Sequence, residues 1–75
     1  MPINSYLVYP RLGEKEALIT HLNKISECET LEASNEDIVI LVTDTTDELH
    51  EGILQENLKL IPEIQGMALV YAQEG

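Results

Sequence analysis

Basic residues are scarce in this chain. Arg11, Lys15, Lys24 and Lys59 stand against fourteen acids, for a formal net charge of −10. Such a surface repels nucleic acid and anionic lipid, and its field steers basic partners toward it. Nine acids fall between Glu27 and Glu51 with no Lys or Arg among them. Keeping a small domain soluble is the plain reason for that excess, and drawing in a basic partner is the sharper one. Cysteine is nearly absent too. Cys28 stands alone, which excludes an intrachain disulfide framework and a multi-cysteine zinc site and fits a reducing compartment. No basic-then-apolar leader is visible, and no apolar run approaches the roughly 18–20 residues of a membrane span. The expectation is a soluble, cytoplasmic protein without membrane insertion.

What is present is enough for one small ordered domain over residues 1–75, since a hydrophobic share of 44% is ordinary for a globular chain. Its organising stretch is Asp37-Ile38-Val39-Ile40-Leu41-Val42-Thr43. Alternate side chains of a strand point to opposite faces, so five consecutive apolar residues are apolar on both. That marks a central strand. A chain of 75 residues can cover one side of a sheet with helices but hardly both.

The remaining elements fall around that strand. Residues 3–9 read as a first strand, with Ile3, Ser5, Leu7 and Tyr9 on one face and Asn4, Tyr6 and Val8 on the other. Pro10-Arg11-Leu12-Gly13 ends it. Residues 14–25 carry a helical stripe of Ala17, Leu18, Leu22 and Ile25, with acids in the first turn. Residues 28–34 form a polar strand whose acids Glu29 and Glu32 suit a sheet edge. Asn35-Glu36 connects it to the central strand as a hairpin. Thr45 and Glu48 have capping-box spacing, with Thr46 as an alternative cap. A second helix then runs to about Ile61, with Leu49, Ile53, Leu54, Ile61 and one of Leu58 or Leu60 as its stripe. Gly52 interrupts it and Pro62 ends it; residues 66–72 make the last strand, and 73–75 a tail. The order is β-α-β-β-α-β. Right-handed interleaved crossovers then give an α+β, ferredoxin-like sandwich, with a four-stranded antiparallel sheet in order 4-1-3-2 and two helices on one face. The other face is left uncovered.

Catalytic chemistry is hard to find. His21 and His50 have no ligand-spaced neighbour, and Cys28 has neither a cation nor a second thiol near it in sequence. The loop after the first strand lacks the Cys-x-x-Cys of copper chaperones on this fold. Arg11 follows that strand, but the glycine-rich cradle of an acylphosphatase is missing. The acids show no isolated pair in an apolar setting. The reading is a non-enzymatic binding module without metal or cofactor. Its surface is the uncovered sheet face with an acidic rim, suited to an amphipathic segment carrying arginines, which bond carboxylates bidentately. A sheet-face homodimer, as in small regulatory or oligomerisation modules, is the alternative.

Two stretches carry a family resemblance. Ile3-Asn4-Ser5-Tyr6-Leu7-Val8 resembles the Ile-Ser-Ser-Leu-Val-Val opening of the NapD family. Residues 61–71, Ile-Pro-Glu-Ile-Gln-Gly-Met-Ala-Leu-Val-Tyr, resemble that family's Leu-Pro-Gly-Val-x-x-Ala-x-Leu-Val-Tyr. Cys28-Glu29 also falls where the family often has Cys-Glu or Val-Glu, and the long apolar third strand is shared. Glu63 departs from the family's glycine, and Thr30 and Glu32 stand at its Val-x-Val places. The resemblance implies a cytoplasmic chaperone for the catalytic subunit of a periplasmic nitrate reductase. Such chaperones bind the precursor's twin-arginine signal peptide on the open sheet face and delay export until the molybdenum cofactor is inserted.

The expected peptide-binding residues are Ser5, Leu7 and Tyr9 of the first strand, Val39 and Leu41 of the third, and Leu69 and Tyr71 of the fourth. Glu29 and Glu32 stand nearby for the arginines. Both phases of the inner strands are apolar. An exposed Tyr6 and Val8 above a buried Leu7 is the mark of the opposite phase.

Overall fold

The computed structural model describes residues 2–32 and 36–74, with the side chains of Glu32 and Glu74 outside the description. Six elements follow in order: β1 (Pro2–Pro10), α1 (Lys15–Asn23), β2 (Cys28–Glu32), β3 (Val39–Asp44), α2 (Glu48–Lys59) and β4 (Ile64–Glu74). The strands form one antiparallel sheet in the order β2-β3-β1-β4, which is 4-1-3-2 read from the other edge. The β3 strand is interior, as its two-sided apolar run requires, and acid-bearing β2 lies at an edge. The expected strand end at Ala33-Ser34 and Asn35 of the connection lie outside the described residues, as does Gly75. Gln73 and Glu74, expected as tail, continue β4 in pairing with Ile3 and Pro2.

One core holds the layers together. Tyr6 and Val8 of β1 and Val39 and Leu41 of β3 pack with Leu18 and Leu22 of α1, Leu54 and Leu58 of α2, and Ile61. Both helices therefore lie against the same sheet face. Burial of one such side chain contributes roughly 1.5–3 kcal/mol, so these nine residues carry most of what a small chain can gather.

The helix ends and faces differ in part from the sequence expectation. The cap of α2 is Asp47, whose Oδ1 accepts the His50 amide at 2.8 Å. Thr45, expected in a capping box, instead turns inward and is 2% exposed. Leu49, Ile53 and Leu60 are solvent-exposed, and the buried stripe of α2 is Glu51, Leu54 and Leu58. An acid takes a core position because three hydroxyls meet it there. At α1 the exposed Ala17 drops out of the stripe, while Ile19 and Ile25 pack against the core from its margin. Gly13, at φ +79°, closes the β1–α1 turn in the left-handed region that glycine tolerates. Arg11 ties that turn to the far end of α2, its Nε donating to the Pro62 carbonyl at 2.9 Å and its amide to the Glu63 carbonyl at 2.9 Å.

Candidate peptide-binding face

Directly paired residues of neighbouring strands share a sheet face, so the register assigns every position. Tyr6 stands opposite Leu41, and Val8 opposite Val39, beneath the helices. The alternate set faces away. Leu31 of β2, Ile40 of β3, Leu7 of β1 and Ala68 of β4 form one row across the whole sheet. Glu29, Val42, Ser5 and Tyr71 form the next row, and Asp44, Ile3 and Gln73 a third. Tyr9 completes the face on the other side of Leu7. Its partner is Gly66, and a Cβ there would come within 3.7 Å of the Tyr9 ring.

The face is apolar along its body and acidic at one corner. Leu31 and Tyr71 are more than half exposed, at 53% and 57%. Leu7, Ile40 and Val42, between them, are half-buried by their neighbours. Glu29 pairs with Val42, and Asp44 lies two residues further along β3, so these two exposed carboxylates are diagonal neighbours. No basic residue occurs on any of these rows.

Of the expected residues, Ser5, Leu7, Tyr9, Tyr71 and Glu29 lie on this face. Val39 and Leu41 do not: both are fully buried under the helices. The phase expected for β3 is therefore corrected by one residue, and Ile40 and Val42 take their places. Leu69 is also displaced. A bulge between its pairing with Tyr6 and that of Tyr71 with Ser5 inserts Val70, so Leu69 shares the helix side with Tyr6 and is 54% exposed beyond the core. Glu32 pairs through its backbone with Val39, and its side chain lies outside the described residues. Leu31, Ile40, Val42 and Asp44 were not among the expected residues, and Ile3, although expected on this face, was not named for binding. Two-sided apolarity hides the outward phase, and only the pairing register reveals it.

Under the sheet, a polar network fixes one end of the structure. Glu51, 4% exposed, accepts the Tyr6 hydroxyl at 2.6 Å and the Thr45 hydroxyl at 2.9 Å. The Thr43 hydroxyl reaches its two oxygens at 3.0 and 2.9 Å. The Tyr6 oxygen in turn accepts from Asn4 Nδ2 at 3.1 Å and Gln55 Nε2 at 2.7 Å. Burial raises the Tyr6 pKa above its usual value, and the hydrogen bond to Glu51 adds to the rise. Both histidines meet glutamates: His21 Nδ1 lies 3.2 Å from Glu63, and His50 Nε2 lies 2.8 Å from Glu27. Glu27 is pulled below the usual carboxylate range, first by its own backbone amide and then by His50 and Ser26. Cys28 packs against the core, where burial, with the Glu27 and Glu51 charges, pushes its thiol up to about 11.

Comparison with known proteins returns nothing: no protein-family model, no curated protein and no solved structure matches this chain.

Proposed function

We propose that this protein is a maturation chaperone on a ferredoxin-like sandwich, binding the twin-arginine signal peptide of a molybdoenzyme precursor of the periplasmic nitrate reductase type. It acts in the cytoplasm and holds the precursor back from export until its cofactor is in place. The observation that carries the reading is the uncovered sheet face. Its apolar rows, centred on Leu7, Ile40 and Val42, end at the Glu29 and Asp44 corner. A signal peptide has the complementary layout, with arginines at one end and an apolar stretch after them. Its apolar part buries on the rows, while the guanidinium groups meet the corner carboxylates in charge-assisted bonds of roughly 1.5–3 kcal/mol each. The net charge of −10 steers a basic segment to the surface. The resemblance of residues 3–8 and 61–71 to the NapD family supports the same partner.

Calorimetric titration with a twin-arginine signal peptide and its Lys-Lys variant, at low and moderate salt, tests the proposal. Arg and Lys carry equal charge but differ in bidentate geometry. Saturable binding weakened by the Lys-Lys change supports recognition, whereas equal, salt-sensitive binding of both peptides reduces it to charge attraction. A sheet-face homodimer competes for the same rows. Stacking two such faces brings copies of −10 together, so a dimer that occludes the peptide would tighten as salt is raised.

A further inference from the structure

The helix side of the sheet carries a second opening. Between α2 and the ends of β1 and β4 lies a cleft of about 550 Å3, lined by Asn4, Glu51, Gly52, Gln55 and Ala72, with exposed Glu48 at its margin. That volume lies within the roughly 300–1,000 Å3 of small-ligand sites. Its walls include two deeply buried polar side chains, since Asn4 is 6% and Glu51 4% exposed.

Hydrogen-bond direction decides what the cleft can hold. A carboxylate only accepts, so the proton of Tyr6 is committed to Glu51. The Tyr6 oxygen can then only accept, and it takes one N–H from Asn4 and one from Gln55. Both amides thus turn their NH2 groups toward Tyr6, which commits their nitrogens, and both residues line the cleft. With those nitrogens engaged, what Asn4 and Gln55 have left to offer a ligand is their carbonyl oxygens, beside the carboxylates of Glu48 and Glu51 and the amide of Gln73. The contacts of His21 with Glu63, His50 with Glu27 and Lys59 with Glu56 all lie away from Glu51.

Gly52 keeps the opening clear. A Cβ there would meet nothing within 4 Å, and its φ is not positive, so neither close packing nor backbone conformation calls for glycine. A glycine inside a helix destabilises it, and the missing side chain leaves room over the amides.

We infer that this cleft binds a guanidinium group, its planar fork of N–H donors bridging the Asn4 and Gln55 carbonyl oxygens above the Glu51 carboxylate. Guanidinium suits the site better than ammonium because its donors are coplanar and fixed, and it is more weakly hydrated. The site lies across the sheet from the apolar face and does not depend on the peptide-binding reading.

The test is an NMR titration of the full chain with N-acetyl-arginine amide and its lysine and citrulline counterparts. The expected result is saturable shifts at the Gly52 and Ala72 amides and at the Asn4 and Gln55 side-chain NH2 groups. Binding of the uncharged citrulline compound and of the lysine compound should be weaker by tenfold or more. Gly52→Leu fills the cleft with a good helix former, its fold is checked in the same spectra, and it should weaken arginine binding at least tenfold. Leu12→Ser, in the exposed turn after β1, should leave it unchanged. Absence of saturable shifts, equal binding of the lysine or citrulline compound, or full binding by Gly52→Leu would overturn the assignment.

Discussion

Leu7 of β1 stands directly opposite Ile40 of β3 on the uncovered face, while the adjoining pair, Tyr6 and Leu41, lies beneath the helices. A single-residue step thus separates the core from the open sheet face along both central strands. Because the side-chain period of a strand is two, this step cannot slip without exchanging one set for the other.

Neighbouring residues of β3 should therefore respond differently to mutation. Leu41→Ala removes a fully buried side chain and is expected to cost about 2–5 kcal/mol. Ile40→Thr keeps the β-branch and sits on the open face, so about 1 kcal/mol is expected, together with weaker peptide binding. Urea unfolding of both variants checks this, and equal losses would place the phase of β3 in error.

Removing the acceptor at the centre of the polar network should be severe. Glu51→Ala leaves the hydroxyls of Tyr6, Thr43 and Thr45 without the group they share. At about 1–3 kcal/mol for each unsatisfied buried group, and with water entering from the cleft, a loss of about 3 kcal/mol is expected. Glu51→Gln retains one acceptor oxygen and should lose about half as much. Denaturant midpoints for the two variants give the comparison; a silent Glu51→Ala would contradict the network.

Gly52→Ala should stabilise the protein. Its Cβ meets nothing within 4 Å, so the gain in helix propensity, about 0.5–1 kcal/mol, is not offset by a clash. For a domain of this size that corresponds to about 2–8 °C in melting temperature by calorimetry.

Cys28 should be a slow nucleophile. With its pKa pushed up to about 11, the thiolate forms only well above neutral pH. At pH 8 alkylation is expected to run about two orders of magnitude slower than for an ordinary thiol and to accelerate through pH 10. In denaturant, where burial and the Glu27 and Glu51 charges are lost, the ordinary rate should return. A rate plateau by pH 9 in the folded protein would contradict this environment.

The architecture was legible from composition at β3, where five apolar residues in a row demanded an interior strand, and at β2, whose acids demanded an edge. The outward phase was not legible, for three physical reasons. The phase of Val39 and Leu41 ends in Thr43, and a polar residue ordinarily argues for the solvent side. Here its hydroxyl is buried because Glu51 accepts it. Glu51 itself interrupts an apolar helix stripe and reads as surface until its three hydroxyl partners are assembled. In β4 the bulge at Val70 puts Leu69 and Tyr71 on opposite sides, which a period of two cannot anticipate. Asp44 was missed because the central strand was taken to end at Thr43, whereas the ladder continues to the pair between Asp44 and Ile3.

A twin-arginine peptide bound as proposed lies on the open face with its arginines at the Glu29 and Asp44 corner. The most direct measurement is a methyl and amide NMR titration of the protein with that signal peptide. The largest shifts are expected at Leu7, Leu31, Ile40, Val42 and Tyr71 and at the Glu29 and Asp44 amides, with little change at the α1 and α2 core residues. Shifts confined to the exposed side of α2 at Leu49 and Ile53, or no saturable shift on the rows through Leu7 and Ser5, would contradict it.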